Sequence, residues 1–387
     1  MKTAIYKYIF ILLFLIIVYP SMPVYAENTV YTSIIDTDEL YDSLGINSDD
    51  IYNSIPDDSK DAINDTGVSI SDTSGFTNIS PAELIGYIID RFRNNITEPV
   101  RLLSSIIAIT AIAAAASFLP DSVSGKDDIG MAGTIAALAS AAAAAVPIGS
   151  CISQISATIT AGSRFMAAYI PVFVGIAASS GSVTSAAAYD LAVEGFAEIS
   201  VQIAARVVIP LLSVCTALSI TDGIEDSFGL SAVTKLAQKL TGVALTAAVT
   251  IFSGLLSLQS AVGTSADSLG AKTAKLAVAN FVPVVGGALS DTCAAVRSGL
   301  ALLKNAAGIF GIIVIAAAIL PPLLRSVGLY LALCIGSTAA DIGGCKRMAA
   351  LLRNLSSVMG MAMAITLCFG AIFIISTAIL MAQKVQF

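Results

Sequence analysis

An all-α, polytopic membrane helix bundle is the fold class this sequence predicts, and three observations carry the prediction. Hydrophobic residues fill 56% of the 387 positions and charged ones only 12%, well below the roughly 25% charged share of soluble domains. Apolar stretches of roughly 20 residues, the length a helix needs to cross hydrocarbon, recur along the chain. Charge is segregated as well. From Glu27 to Glu98 fifteen acids stand against three bases, and from Pro99 onward twelve acids stand against fifteen bases. With a mean hydropathy of +0.86, most of the chain cannot cover a water-facing surface. Its first expected partner is the lipid bilayer. The acidic net charge of −7 argues against nucleic acid, whose phosphates call for a cationic surface.

The chain starts with a short basic region, Lys2 and Lys7, followed by the apolar run Ile9 to Val18. Val24-Tyr25-Ala26 then places small residues at the −3 and −1 positions. This pattern predicts a secretory signal over 1–26, cleaved after Ala26; an uncleaved anchor would also put the following segment on the outer face. Residues 27–79 are acidic and rich in Ser, Asn and Thr. Too few apolar residues are present for a core of their own, so an extracytoplasmic, partly disordered segment is expected. In "SPAELIGYIIDRFRNNI" the sequence supplies Ser80 as N-cap, Pro81 at the first helical position and Glu83 to close a capping box. Leu84, Ile85, Ile88, Ile89 and Phe92 follow helical spacing, which predicts an amphipathic helix over 80–98 at the membrane surface.

Residues 99–387 form the multispanning domain. Six segments meet the length for a span: 100–119, 129–149, 199–220, 242–262, 306–324 and 356–381. Three more, 165–180, 276–290 and 326–340, are apolar but short or interrupted, so six to eight crossings are expected. Alanine clusters such as 141–145 suit close approach between helices in lipid.

Two of the interrupted stretches echo each other. "YIPVFVGIAASS" and "NFVPVVGGALSD" are offset by 112 residues, which aligns Pro171 with Pro283 and Gly175 with Gly287. Pro210-Leu211-Leu212 and Pro322-Leu323-Leu324 share that offset, as do Lys235 and Arg347. A parallel repeat of about 160–262 and 272–381 is therefore expected, with the basic loops at Lys235/Lys239 and Lys346/Arg347/Arg353 facing the cytoplasm. Proline removes a backbone donor and glycine permits close approach. Non-helical backbone at membrane depth must be sheltered by protein or line a wet cavity. Pro171, Gly175, Pro283, Gly286 and Gly287 are accordingly the candidates for two re-entrant segments beside a cavity. Packing kinks are the alternative reading.

Asp190, Glu194 and Glu198 recur at i+4 and share one helical face. They either line a cation or proton path or form the wet side of an interfacial helix. Asp291 could cap the helix that follows it or bind an ion. The six cysteines include no C-x-x-C pair and read as small buried hydrophobes. Histidine is absent, which removes the usual general base and the commonest metal ligand. No nucleotide-binding or nucleophile-elbow motif is present. No enzyme activity, metal or cofactor is expected.

The order of motifs carries a resemblance. "FMAAYIPVFVGIAASSGSVTSAAAYD", "SADSLGAKTAKLAVANFVPVVGGALSDT" and "LLKNAAGIFGIIV" resemble the stage III sporulation protein AE family of endospore-forming bacteria. The resemblance covers roughly 80–387 and says nothing of residues 27–79. It implies a multi-pass protein of the mother-cell membrane that surrounds the forespore. It further implies partners, namely the other stage III sporulation A-group proteins and stage II sporulation protein Q. Together these would form a channel or secretion-like complex that supports forespore development. A stand-alone solute permease and a structural scaffold are the alternatives.

Overall fold

The computed structural model describes most of residues 52–60, then 81–117, 126–179, 209–224 and 286–382, with isolated positions between them. Every element among the described residues is helical: α1 (Pro81–Asn95), α2 (Thr97–Ser117), α3 (Lys126–Ser179), α4 (Ile209–Ile224), α5 (Gly286–Ile342) and α6 (Lys346–Ala382). Four helical stretches are long and apolar enough to cross a membrane: Thr97–Ala116, Gly133–Ile176, Lys304–Ile342 and Lys346–Ala378.

α1 begins at Pro81, as the sequence predicts, and ends where Pro99 removes the N–H that would bond Asn95. The chain bends at Ile96 and restarts as α2 with Glu98 in its first turn, where proline is tolerated. α5 closes on a Schellman turn. The Cys345 N–H bonds the Ala340 carbonyl at 2.9 Å and the Gly344 N–H bonds that of Asp341 at 3.2 Å. Gly344 has φ +78°, a conformation that favours glycine. α6 then folds back along α5, the most extensive contact among the described helices.

Several predicted segments merge. Stretches 129–149 and 165–180 belong to one helix, α3, which contains Pro147 and Pro171. Likewise 306–324 and 326–340 are one helix, α5, running through Pro321 and Pro322. The break expected at Pro171 and Gly175 is not there. An interior proline costs a helix about 3 kcal/mol, and burying one or two large side chains offsets that. Tyr169, Ile170, Phe173 and Ile176 are all buried around Pro171. Apart from isolated positions, segment 242–262 and the remainder of 199–220 lie outside the described residues, as does Pro283.

α3 runs antiparallel to α5, because Gln154 meets Arg325 and, further along α3, Tyr169 meets the earlier Ala307. α2 lies alongside the second half of α5 only, with Pro99 against Gly328 and Ile106 against Gly336. α6 packs against α3, α4 and α5. Met348, Leu352, Leu355, Met359, Ile365 and Phe373 along it are all buried.

Two cores result. One joins α2, α4, the first part of α3 and the second half of α5 to α6, and it is rich in alanine: Ala136, Ala137, Ala141 and Ala144. The other joins the end of α3 to the first half of α5 through Phe165, Tyr169, Phe173 and Phe310. The rings of Phe165, Tyr169 and Phe173 stack in sequence at centroid spacings of 5.4 Å. The acidic segment, expected to lack a core, borrows this one. Ile55 and Ile63 are buried in it, and Tyr52 lies edge-on to Phe310.

Candidate functional site: a polar cluster at mid-length

A charged cluster interrupts the bundle where the two cores meet. Arg325 follows Pro321-Pro322 in the middle of the apolar stretch of α5. Its Nε donates to Glu98 Oε2 at 2.6 Å and its Nη1 to Gln154 Oε1 at 2.9 Å. Nη2 reaches the same Glu98 oxygen at 2.5 Å and also donates to Ser150 Oγ. Three helices therefore supply one network: Glu98 from α2, Ser150 and Gln154 from α3, and Arg325 from α5. The planar guanidinium suits this role, since its fork of donors can satisfy a carboxylate and two neutral acceptors together. The Arg325 side chain keeps 17% of its exposure and that of Glu98 37%, so water reaches the pair and its contribution to stability is correspondingly damped.

A cavity of about 370 Å³ opens beside the pair, lined by Asn94, Asn95, Thr97, Glu98, Arg101, Gln154 and Arg325. The bend at Ile96 creates it by turning the last residues of α1 toward the first turn of α2. Two cations, one carboxylate and three amides could hold an anionic or zwitterionic group. A second cavity, between α3, α5 and α6, is wholly different. It holds about 10 Å³ among Ile159, Ile315, Ile319 and Phe373, at the lower limit for one water.

The ends of the bundle carry further charge. At the α5–α6 turn, Arg353 pairs with Asp341 at 2.5 Å and Arg347 donates to Thr134 at 2.6 Å. Burial pushes the Cys345 thiol in this turn above its ordinary value. Beside the aromatic core, halfway along that part of α5, Ser59 donates to the Val314 carbonyl at 2.8 Å, and Lys60 pairs with Asp57 at 2.7 Å. The hydrogen bond from Lys60, then its charge, holds the Asp57 carboxyl below the usual range.

The residues singled out in the sequence are not assembled into this cluster. Pro171 is exposed and Gly175 half-buried within α3, and an added Cβ at Gly175 would meet nothing within 4 Å. Gly286 and Gly287 are the first two residues of α5. Asp291 lies beyond the first turn of the same helix, too far in to be its N-cap. Asp190, Glu194, Glu198 and Ala26 fall outside the described residues. The Glu98–Arg325–Gln154 network escaped the sequence reading, although a lone arginine between two apolar blocks was a visible signal.

Residues 65–383 match the sequence profile of stage III sporulation protein AE. Over 164 residues the chain is 30% identical to the stage III sporulation protein AE of Bacillus subtilis (strain 168), an alignment covering 42% of this chain and 41% of that protein. The chain thus aligns with less than half of that relative's length. No solved structure matches the chain.

Proposed function

Because the chain belongs to the stage III sporulation protein AE family, we propose that it is a non-enzymatic, multi-pass component of a sporulation channel or secretion-like complex. The other stage III sporulation A-group proteins and stage II sporulation protein Q are its partners in this reading, and the mother-cell membrane around the forespore is its location. Family membership rests on the match across 65–383.

The structural observation that carries the reading is the closed interior of the bundle. The cavity between α3, α5 and α6 is apolar and about 10 Å³, so no water-filled path runs between these three helices. A path for solute would then form between this chain and other chains. Capture of the tagged protein from sporulating cells tests this. Co-purification of the A-group and Q proteins is expected, together with loss of late forespore gene expression when the chain is deleted. Capture of the chain alone, with normal forespore expression, would overturn the proposal.

A stand-alone permease is the second reading, favoured by the polar cavity beside Arg325. Solute flux through vesicles that contain only the purified protein would support it over the first.

A further inference from the structure

The apolar stretches are too long for one bilayer. Gly133–Ile176 has 44 residues and Lys304–Ile342 has 39, whereas about 20 residues span the hydrocarbon. The Arg325 cluster divides each stretch into two lengths of about 25–33 Å, and the two lengths differ in what they present outward.

From the Arg325 level to the Gly343–Gly344 turn, large apolar side chains face outward. Val100, Ile107 and Ile112 on α2 are exposed, as are Ile135, Leu138 and Val146 on α3 and Leu331 and Ile335 on α5. The belt is bounded at one end by Glu98, Arg101 and Arg325 and at the other by Asp341, Lys346, Arg347 and Arg353. Asp341 lies 16 residues beyond Arg325, about 24 Å of helix, close to the thickness of hydrocarbon.

On the other side of Arg325 the pattern inverts. Among the described residues of 155–176 and 304–322 no large apolar side chain is exposed. The exposed positions are Ala157, Arg164, Ala167, Pro171, Asn305 and Ala316. Arg164 lies ten residues past Gln154, about 15 Å beyond the cluster. In a second bilayer-thick layer it would lie near the midplane, where an arginine costs at least about 2.5 kcal/mol. The Asp57–Lys60 pair gives independent evidence. Its carboxylate keeps 95% of its exposure and its lysine side chain 46%, and the adjoining Ser59 is bonded to Val314, halfway along this part of α5. Ions so exposed require water at that depth.

We propose that the bilayer covers only the half of the bundle between Arg325 and the Gly343–Gly344 turn. The aromatic half stands in water as a helical projection about 30 Å long, on the side of the N-terminal acidic segment. The crossing part of α5 is then 325–342 rather than the predicted 306–324. Large residues packed inward and small ones outward are what water selects; lipid exerts no such selection, and helices there approach through small residues. The placement does not depend on the proposed function.

The chain contains no tryptophan, so single reporters test the placement directly. Leu331→Trp and Ile135→Trp probe the belt; Ala316→Trp and Ala157→Trp probe the projection. Each variant of the full chain is reconstituted into phosphatidylglycerol–phosphatidylethanolamine vesicles with or without brominated acyl chains. Brominated lipid should quench the two belt reporters severalfold and leave the two projection reporters unchanged, while aqueous iodide does the reverse. Equal quenching of Ala316→Trp and Leu331→Trp by brominated lipid would overturn the proposal. Should a projection variant fail to insert, Ala167→Trp and Asn305→Trp read the same surface.

Discussion

Where α2 meets α5, Pro99 packs on Gly328 and Ile106 on Gly336, the buried Ala332 and Ala340 continue the same i+4 row of small residues, and Leu331 and Ile335 turn outward. Around Phe310 the arrangement is reversed: aromatic rings fill the interior, while Ala316 and Asn305 are left outside. One helix, α5, takes part in both. By composition the first half is the more apolar, with no charged residue in 306–324 against Arg325 and Asp341 in 325–342, so the outward difference lies in how the side chains are distributed around the axis. The lesson is that average hydropathy identifies a helix able to enter lipid without saying how much of it does. The angular position of the large residues carries that information.

Cavity formation should separate the halves most strongly. Phe173 is fully buried and stacked on Tyr169, so Phe173→Ala should cost about 3–5 kcal/mol. Hydrogen exchange on the detergent-solubilised protein should then rise in 304–322 and stay low in 329–342; equal loss in both would erase the distinction between two cores. Gly336→Leu probes the other half. Its Cβ would lie 2.7 Å from Ile106 Cγ2, and overpacking of this kind costs about 1–3 kcal/mol. The thermal midpoint should fall, with exchange rising first in α2. Gly344→Ala should cost about 1–2 kcal/mol through its left-handed backbone alone, since a Cβ there meets nothing within 4 Å. The same midpoint measures it, and an unchanged value would mean that the turn is not held as described.

Tyr169→Phe deletes the 2.7 Å bond to the Ala307 carbonyl and should cost about 1 kcal/mol, less than Phe173→Ala because the ring remains. Smallest of all is Gly175→Ala. In a continuous helix with open space at that position, alanine should stabilise by about 0.5–1 kcal/mol. A lower midpoint would instead reveal the break that the sequence predicts there.

The elements whose causes are local were legible. Ser80 and Pro81 marked the start of α1, and the apolar runs 100–119 and 356–381 lie largely within α2 and α6. The merging of segments in α3 and α5 was not legible, because a proline in a helix is decided by what packs on either side of it. Phe173 and Tyr169 owe their burial partly to Phe310 and Ala307, more than 130 residues away in the chain. The polar cluster is equally non-local. Arg325 finds Gln154 across 171 positions and Glu98 across 227, and no spacing rule connects them. The paired Pro-Gly motif, by contrast, was visible in the sequence, yet its first copy is ordinary helix in the structure.

α6 packs on α3, α4 and α5 and contributes to both cores, and it lies C-terminal to all of the helices described. A ribosome therefore releases the partners of α6 before α6 itself. Until Lys346 and the residues after it emerge, α3, α4 and α5 each present an uncovered face, and both cores must wait for the same late arrival. During synthesis these helices have to be kept apart or shielded in the membrane, and a chain that stops short of α6 would leave neither half assembled.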